Sequence, residues 1–425
     1  MKKKYKTLID LPDCHGKKVI LRLDLNVPVQ NGKVVDDFRI KKSLPTIDLL
    51  RDRGARIVIL SHIEGGSDTL RPVFEYFKSG LESGLLKKNY PMSFCEDCLE
   101  NGPAVAGDLK DGEMIMFENL RLYDGEKKND PDFSKKLADF GEIYVNDAFS
   151  VSHRAHASIV GIPKFLPGYV GLQFEKEIEN LSKCFKPPRP FLFILGGAKF
   201  DTKLPLVKKF LKIADTVFVG GALANDFYKA KGFGVGKSLL SDTPIDFDRL
   251  LDDPKIILPE DVVVTSTDEI TASHKVATNN KTTINNSEAA DENEMPKKIT
   301  KSSDIGANET VRDDGPATLE KLKGLIAGTR GILWNGPLGN YENGFTEGTD
   351  ELAKMIASAG GHHENSGGNS FQPGQTFSIV GGGDTLAAIA HLGIEDEFGF
   401  VSTGGGAMLD FLANETLPGL LALEK

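Results

Sequence analysis

The chain has 425 residues, of which 40% are hydrophobic and 26% are charged. This length and composition predict a globular protein of two or three domains and exclude a fibrous protein or a disulfide-stapled mini-protein. The formal net charge of −10 argues against a nucleic-acid or anionic-membrane partner, because those partners require clustered positive charge.

The basic residues Lys2, Lys3 and Lys4 are not followed by an apolar stretch of the signal-peptide kind. No run approaches the roughly eighteen apolar residues of a membrane span. We therefore expect a cytoplasmic protein without a membrane partner. The four cysteines agree with a reducing compartment, and Cys95 and Cys98 lack the second pair or neighbouring histidine that a zinc site requires. Free thiols are the expected state, rather than a metal or redox site.

Short apolar runs of strand length recur through the first half of the chain, and each ends in polar residues. The runs are residues 19–23, 57–60, 114–117 and 143–145. The polar positions on or just after predicted strands and helices include Arg22, Asp24, Asn26, Arg39, His62, Arg121 and Arg154. Arginine's planar fork suits phosphate and carboxylate, so this half predicts a site for a small anion, although a single arginine is more often a solvated surface charge.

The apolar runs of the second half all end in glycine. These runs are residues 191–195, 217–219, 332–334, 377–380 and 400–401. The turns that follow them are Gly196-Gly197-Ala198-Lys199, Gly220-Gly221, Asn335-Gly336-Pro337, Gly381-Gly382-Gly383-Asp384 and Gly404-Gly405. One such turn only makes room for a helix, but five on one sheet predict a polyphosphate site, because their N–H groups can approach an anion.

Strands that alternate with helix-like stretches predict parallel sheets with crossover helices. A Pro/Gly-rich stretch at 161–168 and a charged helical stretch at 174–181 separate the two halves. We therefore predict an α/β fold of two Rossmann-like parallel-sheet domains, joined by a hinge helix, with a cleft between them. The polar segments 265–312 and 360–375 can bury little apolar area, so we expect both to be mobile surface loops.

Neither usual nucleotide signature is present. Residues 232–238 read G-F-G-V-G-K-S, but Lys231 stands where a Walker loop needs its first glycine. Asp384 follows three glycines and suits magnesium held between nucleotide phosphates, with a helix N-cap as the alternative. His153 and His156 have the spacing of metal ligands but no third ligand, so we expect hydrogen bonding there.

Eight motifs, in the same order along nearly the whole chain, strongly resemble the phosphoglycerate kinase family. They occupy residues 22–28 (R-L-D-L-N-V-P), 36–40 (D-D-F-R-I), 118–121 (E-N-L-R), 146–158 (N-D-A-F-S-V-S-H-R-A-H-A-S), 196–203 (G-G-A-K-F-D-T-K), 334–342 (W-N-G-P-L-G-N-Y-E), 381–385 and 402–407. The resemblance implies a monomeric enzyme that transfers a phosphoryl group from 1,3-bisphosphoglycerate to MgADP, reversibly, giving 3-phosphoglycerate and MgATP. It implies Mg²⁺ with the nucleotide, and no nucleic-acid partner.

The resemblance also implies the domains and the site residues. The 3-phosphoglycerate-binding domain would be residues 1–168, the hinge helix 169–186 and the nucleotide-binding domain 187–408, with 409–425 returning to the first domain. The catalytic residues would be Arg39, Lys199, Gly382 and Gly405. The residues that bind 3-phosphoglycerate would be Asp24, Asn26, Arg39, His62, Arg121 and Arg154. Those at the nucleotide would be Gly197, Ala198, Lys203, Gly220, Gly221, Asn335, Pro337, Glu342, Gly381, Gly383, Asp384 and Thr385, with Asp384 at the metal.

Three positions depart from the family's pattern. After His62 the family usually continues L-G-R-P, whereas this chain has Ile63 and Glu64, so one phosphate-binding arginine is missing. Such a loss should weaken substrate binding roughly ten- to a hundredfold, and Arg71 is our hypothesis for a partial substitute. Thr202 stands where the family usually has aspartate. The motif D-I-G-P-x-T is matched at residues 313–318, rather than at 304–306, because a helical pattern follows directly.

Two other functions stay open at this point. The first is a catalytically weakened homologue that binds nucleotide as a regulatory or scaffold protein. Against it stand Lys199, Lys203, Arg39 and Asp384, since a pure binder has no need of cations aimed at a transferring phosphoryl group. The second is a kinase for another small acid, which the altered loop after His62 makes conceivable.

Overall fold

The computed structural model describes residues 4–64, 66–97, 99–100, 102–198, 203–242, 245–247, 250–266, 296–360 and 376–424. The chain forms two compact units, one of Met1–Ser182 with Gly406–Lys425 and the other of Lys183–Gly405. The helix Leu172–Lys183 ends at the boundary between them. That this helix serves as a hinge stays a prediction.

The first unit is built on a parallel sheet. The strands described in this unit are, in chain order, β1 (Lys18–Arg22), β2 (Val29–Gln30), β3 (Lys33–Val34), β4 (Arg56–Leu60), β5 (Met92–Cys95), β6 (Met114–Phe117), β7 (Ile143–Asn146) and β8 (Gly168–Val170). Six of them lie in the spatial order β5-β6-β4-β1-β7-β8, with every neighbouring pair parallel, while β2 and β3 form a small antiparallel hairpin. The α-helices of this unit are Phe38–Asp52, Arg71–Ser79, Gly102–Gly107, Asp124–Lys128, Pro131–Ala138, Leu172–Lys183, Gly406–Asn414 and Pro418–Leu421.

The second unit repeats this plan. Its described strands are β9 (Phe191–Leu195), β10 (Thr216–Val219), β11 (Ile256–Ile257), β12 (Asp261–Ser266), β13 (Lys297–Lys301), β14 (Glu309–Asp314), β15 (Gly331–Asn335), β16 (Phe377–Gly381) and β17 (Phe400–Ser402). The order β11-β10-β9-β15-β16-β17 is again parallel throughout. Its α-helices are Leu204–Phe210, Leu223–Ala230, Pro316–Ala327, Glu347–Gly360 and Gly383–Leu392. The predicted α/β fold with two parallel-sheet domains is therefore confirmed.

The central strands of both sheets are continuous apolar runs because helices cover both faces of a parallel sheet. All five residues of β9 and of β15 are buried, as are the last four of β1 and β4. This explains why all nine predicted runs fall in strands, with ends that shift by a residue or two.

The expectation for residues 265–312 is wrong for the part that the structure describes. There β13 and β14 flank β12 in an antiparallel sheet, with Val262 and Val264 buried on one side. An antiparallel sheet needs only one apolar face, so a polar strand such as Lys297–Lys301 can still form. Residues 267–295 and 361–375, which hold the rest of the two expected loops, lie outside the described residues. In the described parts of the chain, no helix has the length and apolar character needed to cross a membrane.

Candidate functional site

The first unit gathers its predicted polar residues at one edge of the sheet. Strands β6, β4, β1 and β7 are neighbours and run in parallel, so their carboxyl ends meet at that edge. Asp24, His62 and Arg121 follow β1, β4 and β6 in the chain, and Arg39 lies in the helix Phe38–Asp52. We call Asp24, Arg39, His62, Arg121 and Arg154 the cationic cluster.

Asp24 organises one side of this cluster. Its Oδ2 accepts hydrogen bonds from the Arg39 guanidinium and from the Ser150 hydroxyl, and its Oδ1 accepts from the Asn26 backbone N–H at 3.1 Å. Burial alone would raise the pKa of Asp24, but the charge of Arg39 and these hydrogen bonds outweigh it and hold the pKa below its ordinary value. Asp24 therefore stays ionised and fixes the Arg39 guanidinium.

His62 lies in a buried, positively charged environment. Its Nδ1 is 3.3 Å from an amino nitrogen of Arg22, which is itself buried. Burial lowers the pKa of His62 well below its usual value, and the charges of Arg22, Arg121 and Arg39 lower it further. At neutral pH the imidazole is uncharged, so it can hydrogen-bond an anion but adds no charge.

Arg22 is held by a network of buried hydrogen bonds. Its Nε donates to the Ser158 hydroxyl at 2.9 Å, and that hydroxyl donates to the buried Glu126 carboxylate at 2.6 Å. Glu126 also accepts the Ser158 backbone N–H at 2.9 Å. A buried charge needs such compensation, so Ser158 and Glu126 act as positioning residues for Arg22 and, through it, for His62.

Arg121 is a largely buried cation that lies beside an acidic residue. Its side chain is only 6% exposed, and its Nε lies 3.4 Å from Oε1 of Glu64 yet makes no hydrogen bond within the described chain. Burial lowers the pKa of Arg121, Glu64 opposes this, and Arg154 lowers it again, so the two guanidinium groups sense each other. The cluster thus holds a buried donor that an anion could engage.

The loop after His62 is shaped by two residues of the E-N-L-R motif. Glu118 accepts the backbone N–H groups of Leu70 and Asn119 and the Thr69 hydroxyl. Asn119 donates to the carbonyl of Ile63 at 2.9 Å, and its Oδ1 accepts the Arg121 backbone N–H at 3.0 Å. These buried side chains hold the loop that carries Glu64 against Arg121.

Asn26 and Arg71 contact this loop or its flank. The side-chain amide oxygen Oδ1 of Asn26 accepts the Glu64 backbone N–H at 2.8 Å, so Asn26 helps to fix the loop. The Arg71 guanidinium pairs with Glu96 and stacks over the Phe94 ring, 4.3 Å from its centroid. A substrate-binding role for Arg71 stays a prediction.

His153 and His156 lie in the same unit. Arg154 Nε is 3.3 Å from His153 Nε2. Burial, with Arg121 and Arg154 nearby, lowers the pKa of His156 to about 4. No group of three or more metal-binding side chains occurs among the described residues. That His153 and His156 act by hydrogen bonding stays a prediction. Cys95 is a buried free thiol, and Cys98 lies outside the described residues.

The second unit contains a pocket of about 240 Å³ at the carboxyl edge of its sheet. Its walls are the turns after β9, β10 and β15, one side of β14, and the start of the helix Gly383–Leu392. The lining residues are Gly197, Ala198, Gly221, Ala222, Leu239, Thr310, Val311, Arg312, Pro337, Leu338, Gly339, Asn340, Tyr341, Glu342 and Asp384. The structure therefore brings six predicted nucleotide residues together in one pocket: Gly197, Ala198, Gly221, Pro337, Glu342 and Asp384.

Glycine is required where these turns touch. A Cβ on Gly196 would lie 2.2 Å from the Pro337 carbonyl oxygen, and one on Gly336 would lie 2.3 Å from the Gly196 carbonyl oxygen. Gly197 and Gly221 also have positive φ angles, +99° and +60°, which other residues rarely adopt. The glycines let two loops pack backbone to backbone, which leaves main-chain groups, rather than side chains, to form the pocket floor.

Several predicted residues support the pocket from behind instead of lining it. The Asn335 amide donates to the Gly381 carbonyl at 2.8 Å, and the buried Thr385 hydroxyl accepts the Gly336 N–H at 3.0 Å. Gly220 backs onto Asp314, whose carboxylate lies 2.5 Å from where a Cβ would stand. Gly382, with φ +114°, directly precedes the helix Gly383–Leu392.

Lys203 and Asp384 form the charged end of this region. Lys203 Nζ donates to the Gly196 carbonyl at 2.6 Å, and burial lowers its pKa to about 8 while Asp384 opposes that shift. Asp384 is exposed in the first turn of its helix. The N-cap position of this helix is Gly382, so Asp384 is not the N-cap residue.

Of the predicted catalytic residues, Gly405 is not brought into the pocket, and Lys199 is not described. Gly405 follows β17, at the far end of the strand order from β10, and a Cβ there would meet no atom within 4 Å. Lys199 lies outside the described residues, as does Thr202. Their predicted roles therefore rest on the sequence.

The sequence reading missed one wall of the pocket. Leu239, Thr310, Val311 and Arg312 line it, yet three of them fall in the segment expected to be a loop. The alternation of Thr310, Val311 and Arg312 offered a faint strand signal, but three residues cannot be told from a polar loop.

Comparisons with known proteins agree on one family. The model of the phosphoglycerate kinase family matches residues 8–415. The phosphoglycerate kinase of Dictyoglomus turgidum is 38% identical over 435 residues, covering 99% of both chains, and that of Thermus thermophilus is 39% identical over 432 residues, covering 99% of this chain and 100% of the relative. The solved phosphoglycerate kinase structure from Pyrococcus horikoshii OT3 is 31% identical, covers 98% of both chains and has a TM-score of 0.76. That from Coxiella burnetii is 30% identical, covers 99% of this chain and 98% of that chain, and has a TM-score of 0.74.

Proposed function

Because the chain belongs to the phosphoglycerate kinase family, we propose that it transfers a phosphoryl group reversibly between 1,3-bisphosphoglycerate and MgADP. The products are 3-phosphoglycerate and MgATP. The acid would bind the cationic cluster of the first unit, and the nucleotide would bind the glycine-lined pocket of the second. We also propose that the enzyme acts as a monomer in the cytoplasm.

The observation that carries the proposal is the combination of groups in the cationic cluster. Arg39, Arg121 and Arg154 supply fixed positive charge, while the His62 imidazole is neutral because burial lowers its pKa. A carboxylate acceptor with a pKa near 4 is already ionised at pH 7 and needs no general base. Catalysis then reduces to positioning and charge neutralisation, for which this set of side chains is suited.

The pocket of the second unit suits a magnesium nucleotide. Mg²⁺ prefers one or two carboxylates together with phosphate oxygens and water, and Asp384 offers one exposed carboxylate at the pocket. When bound with the nucleotide, the ion would neutralise phosphate charge. Lys203 would add a cation beside it, and the amide of Ala198 would face the phosphates. Lys199 would stabilise the charge on the transferred group.

A coupled assay with ATP and 3-phosphoglycerate tests this function, with ADP release and acyl phosphate both followed. Wild-type turnover is expected, and Lys199→Ala should lower kcat about a hundredfold or more, because it removes a charge that acts in the transition state. Lys212→Ala, at an exposed position of the same unit, is the matched control and should leave kcat unchanged.

Three outcomes separate the alternatives. Binding of MgATP by the wild type without any turnover would favour the weakened homologue with a regulatory or scaffold role. Turnover with a different small carboxylic acid, but not with 3-phosphoglycerate, would favour a kinase for another substrate. Equal kcat values for Lys199→Ala and the wild type would remove Lys199 from the mechanism.

A further inference from the structure

The nucleotide pocket carries a guanidinium at one wall. Of the described residues that line it, Arg312 is the single cation, and it lies on β14 rather than in a glycine turn. Val311 packs into the small apolar cluster around Val262 and Val264. Because side chains alternate along a strand, Thr310 and Arg312 project from the opposite face. They form a polar strip on the pocket wall.

Arg312 is held in place by its neighbours. Its Nε donates to the Thr265 hydroxyl at 3.0 Å, and the guanidinium lies over the ring of Phe345, 5.6 Å from its centroid. Thr265 and Phe345 are both buried. The Arg312 carbonyl also accepts the Asn340 N–H at 2.7 Å, which ties β14 to the pocket loop. A guanidinium anchored in this way keeps its orientation when a ligand binds.

The lining of the pocket is chemically mixed. Asp384 and the turn at Gly197 suit the phosphates and their magnesium, as proposed above. Another part of the lining joins the Arg312 strip to Leu239, an apolar side chain that is 55% exposed. The preceding residue, Ser238, accepts the Val311 N–H at 2.9 Å. A nucleobase has apolar faces and a polar edge, so it fits a wall that offers an apolar side chain beside hydrogen-bond donors.

We propose that Arg312 selects the base of the nucleotide, favouring a purine whose edge carries hydrogen-bond acceptors. This inference rests on the proposed function. A guanidinium has donors only. Guanine presents acceptors at O6 and N7, whereas adenine presents a donor, its N6 amino group, beside N7. The chain should therefore use guanosine and inosine triphosphates at least as well as ATP. Thr265 is a positioning residue that orients the Arg312 guanidinium.

The test measures kcat/KM with MgGTP, MgITP and MgATP at saturating 3-phosphoglycerate. Arg312→Met keeps an unbranched stem and removes the donors. It should lower the GTP-to-ATP and ITP-to-ATP ratios of kcat/KM by about tenfold or more, mostly through KM. Thr265→Val should lower both ratios severalfold in the same direction. Arg330→Met removes an exposed guanidinium outside the pocket lining and should leave both ratios unchanged.

The inference is overturned if Arg312→Met leaves these ratios at the wild-type values, whether or not all nucleotides are then used less well. Circular dichroism and thermal melts show whether Arg312→Met folds. If it does not, Arg312→Lys, which keeps the charge but loses the planar fork, is measured in its place.

Calorimetric binding of MgGDP and MgADP separates this inference from the proposed function. Suppose that the wild type shows no turnover but binds MgGDP at least as tightly as MgADP, and that Arg312→Met loses this preference. Such a result would refute the reaction but support the role of Arg312. Absence of binding to either nucleotide would refute both.

Discussion

Glu64 gives the cationic cluster an acidic neighbour in the loop where the family usually has an arginine. Its carboxylate lies 3.4 Å from Arg121 Nε and 4.0 Å from Lys127 Nζ, and the side chain is 46% exposed. An anionic substrate that reaches Arg121 must compete with this carboxylate. Glu64 is therefore predicted to weaken acid binding, while the hydrogen bond from the Glu64 N–H to the Asn26 side chain keeps the loop in place.

Glu64→Gln should tighten the binding of 3-phosphoglycerate about 1.4- to fivefold, since exposed ion pairs are worth about 0.2 to 1 kcal/mol. Calorimetric titration at low ionic strength measures this change, and the gain should shrink in high salt because exposed charges are screened. Glu82→Gln, at an exposed position of the same unit, is the control. Unchanged or weaker binding by Glu64→Gln would show that Glu64 does not compete with the substrate.

The start of the helix Leu172–Lys183 is anchored by two side chains of the first unit. The Thr46 hydroxyl accepts the Leu172 N–H at 3.0 Å, and Asp147 Oδ1 accepts the Phe174 N–H at 2.9 Å. Burial raises the pKa of Asp147 to about 7, although these hydrogen bonds oppose the shift. The folded protein thus holds a proton on Asp147 that the unfolded chain would release near pH 4.

The sign of the pH effect follows from that proton. Between pH 4 and 7 the folded state binds more protons at Asp147 than the unfolded state, so this residue makes stability fall as pH rises. Asp147→Asn mimics the protonated form and removes the dependence. The unfolding free energy of the variant minus that of the wild type should rise by about 1.4 kcal/mol when the pH is raised from 6 to 8. Urea unfolding at both values measures it, with the exposed Asp132→Asn as control. A difference that does not change with pH would contradict the raised pKa.

Strand prediction succeeded where burial dictates sequence. The nine predicted runs are strands of parallel sheets, whose two covered faces demand unbroken apolar residues. Three of the missed strands escape this rule: Met92–Cys95 is only partly buried, Ile256–Ile257 has two residues, and Lys297–Lys301 is a largely exposed edge of an antiparallel sheet. Lysines suit such an edge because they discourage pairing with other chains. Gly168–Val170 is buried, but three residues that begin with glycine are too short a run to recognise.

Site residues were predicted where a local sequence pattern marks them and were missed where it does not. Glycine turns such as Gly196-Gly197 and Asn335-Gly336 were recognisable because only glycine allows the close backbone approach. The Arg312 strip was not, because its strand lies far along the chain from those turns and pairs with β12 through contacts that no local pattern encodes. Glu126, which supports Arg22 through Ser158, was missed because it lies outside the eight motifs.

At the scale of the whole molecule, the first unit is discontinuous in sequence. The helix Gly406–Asn414 belongs to it, and Phe411 packs edge-on against Phe149 with ring centroids 5.9 Å apart. Further on, the Gly419 N–H donates to the Ser152 carbonyl at 2.8 Å, and the backbone of Glu424 forms an antiparallel β-bridge with that of Tyr5. The stability of the first unit therefore depends on the last residues of the chain, whereas the second unit is one continuous segment.

Phe411→Ala should destabilise the two units unequally. Phe411 is 2% exposed, and removal of a buried phenylalanine side chain costs about 3 to 5 kcal/mol. Native-state hydrogen exchange should show this loss in the amides of β1 and β7, with little change in β9 and β15. Phe193→Ala, which empties a buried position of the second sheet against Phe210, should show the reverse pattern. Equal losses across both sheets in both variants would mean that the units unfold as one cooperative body, since each core would then depend on the other for its stability.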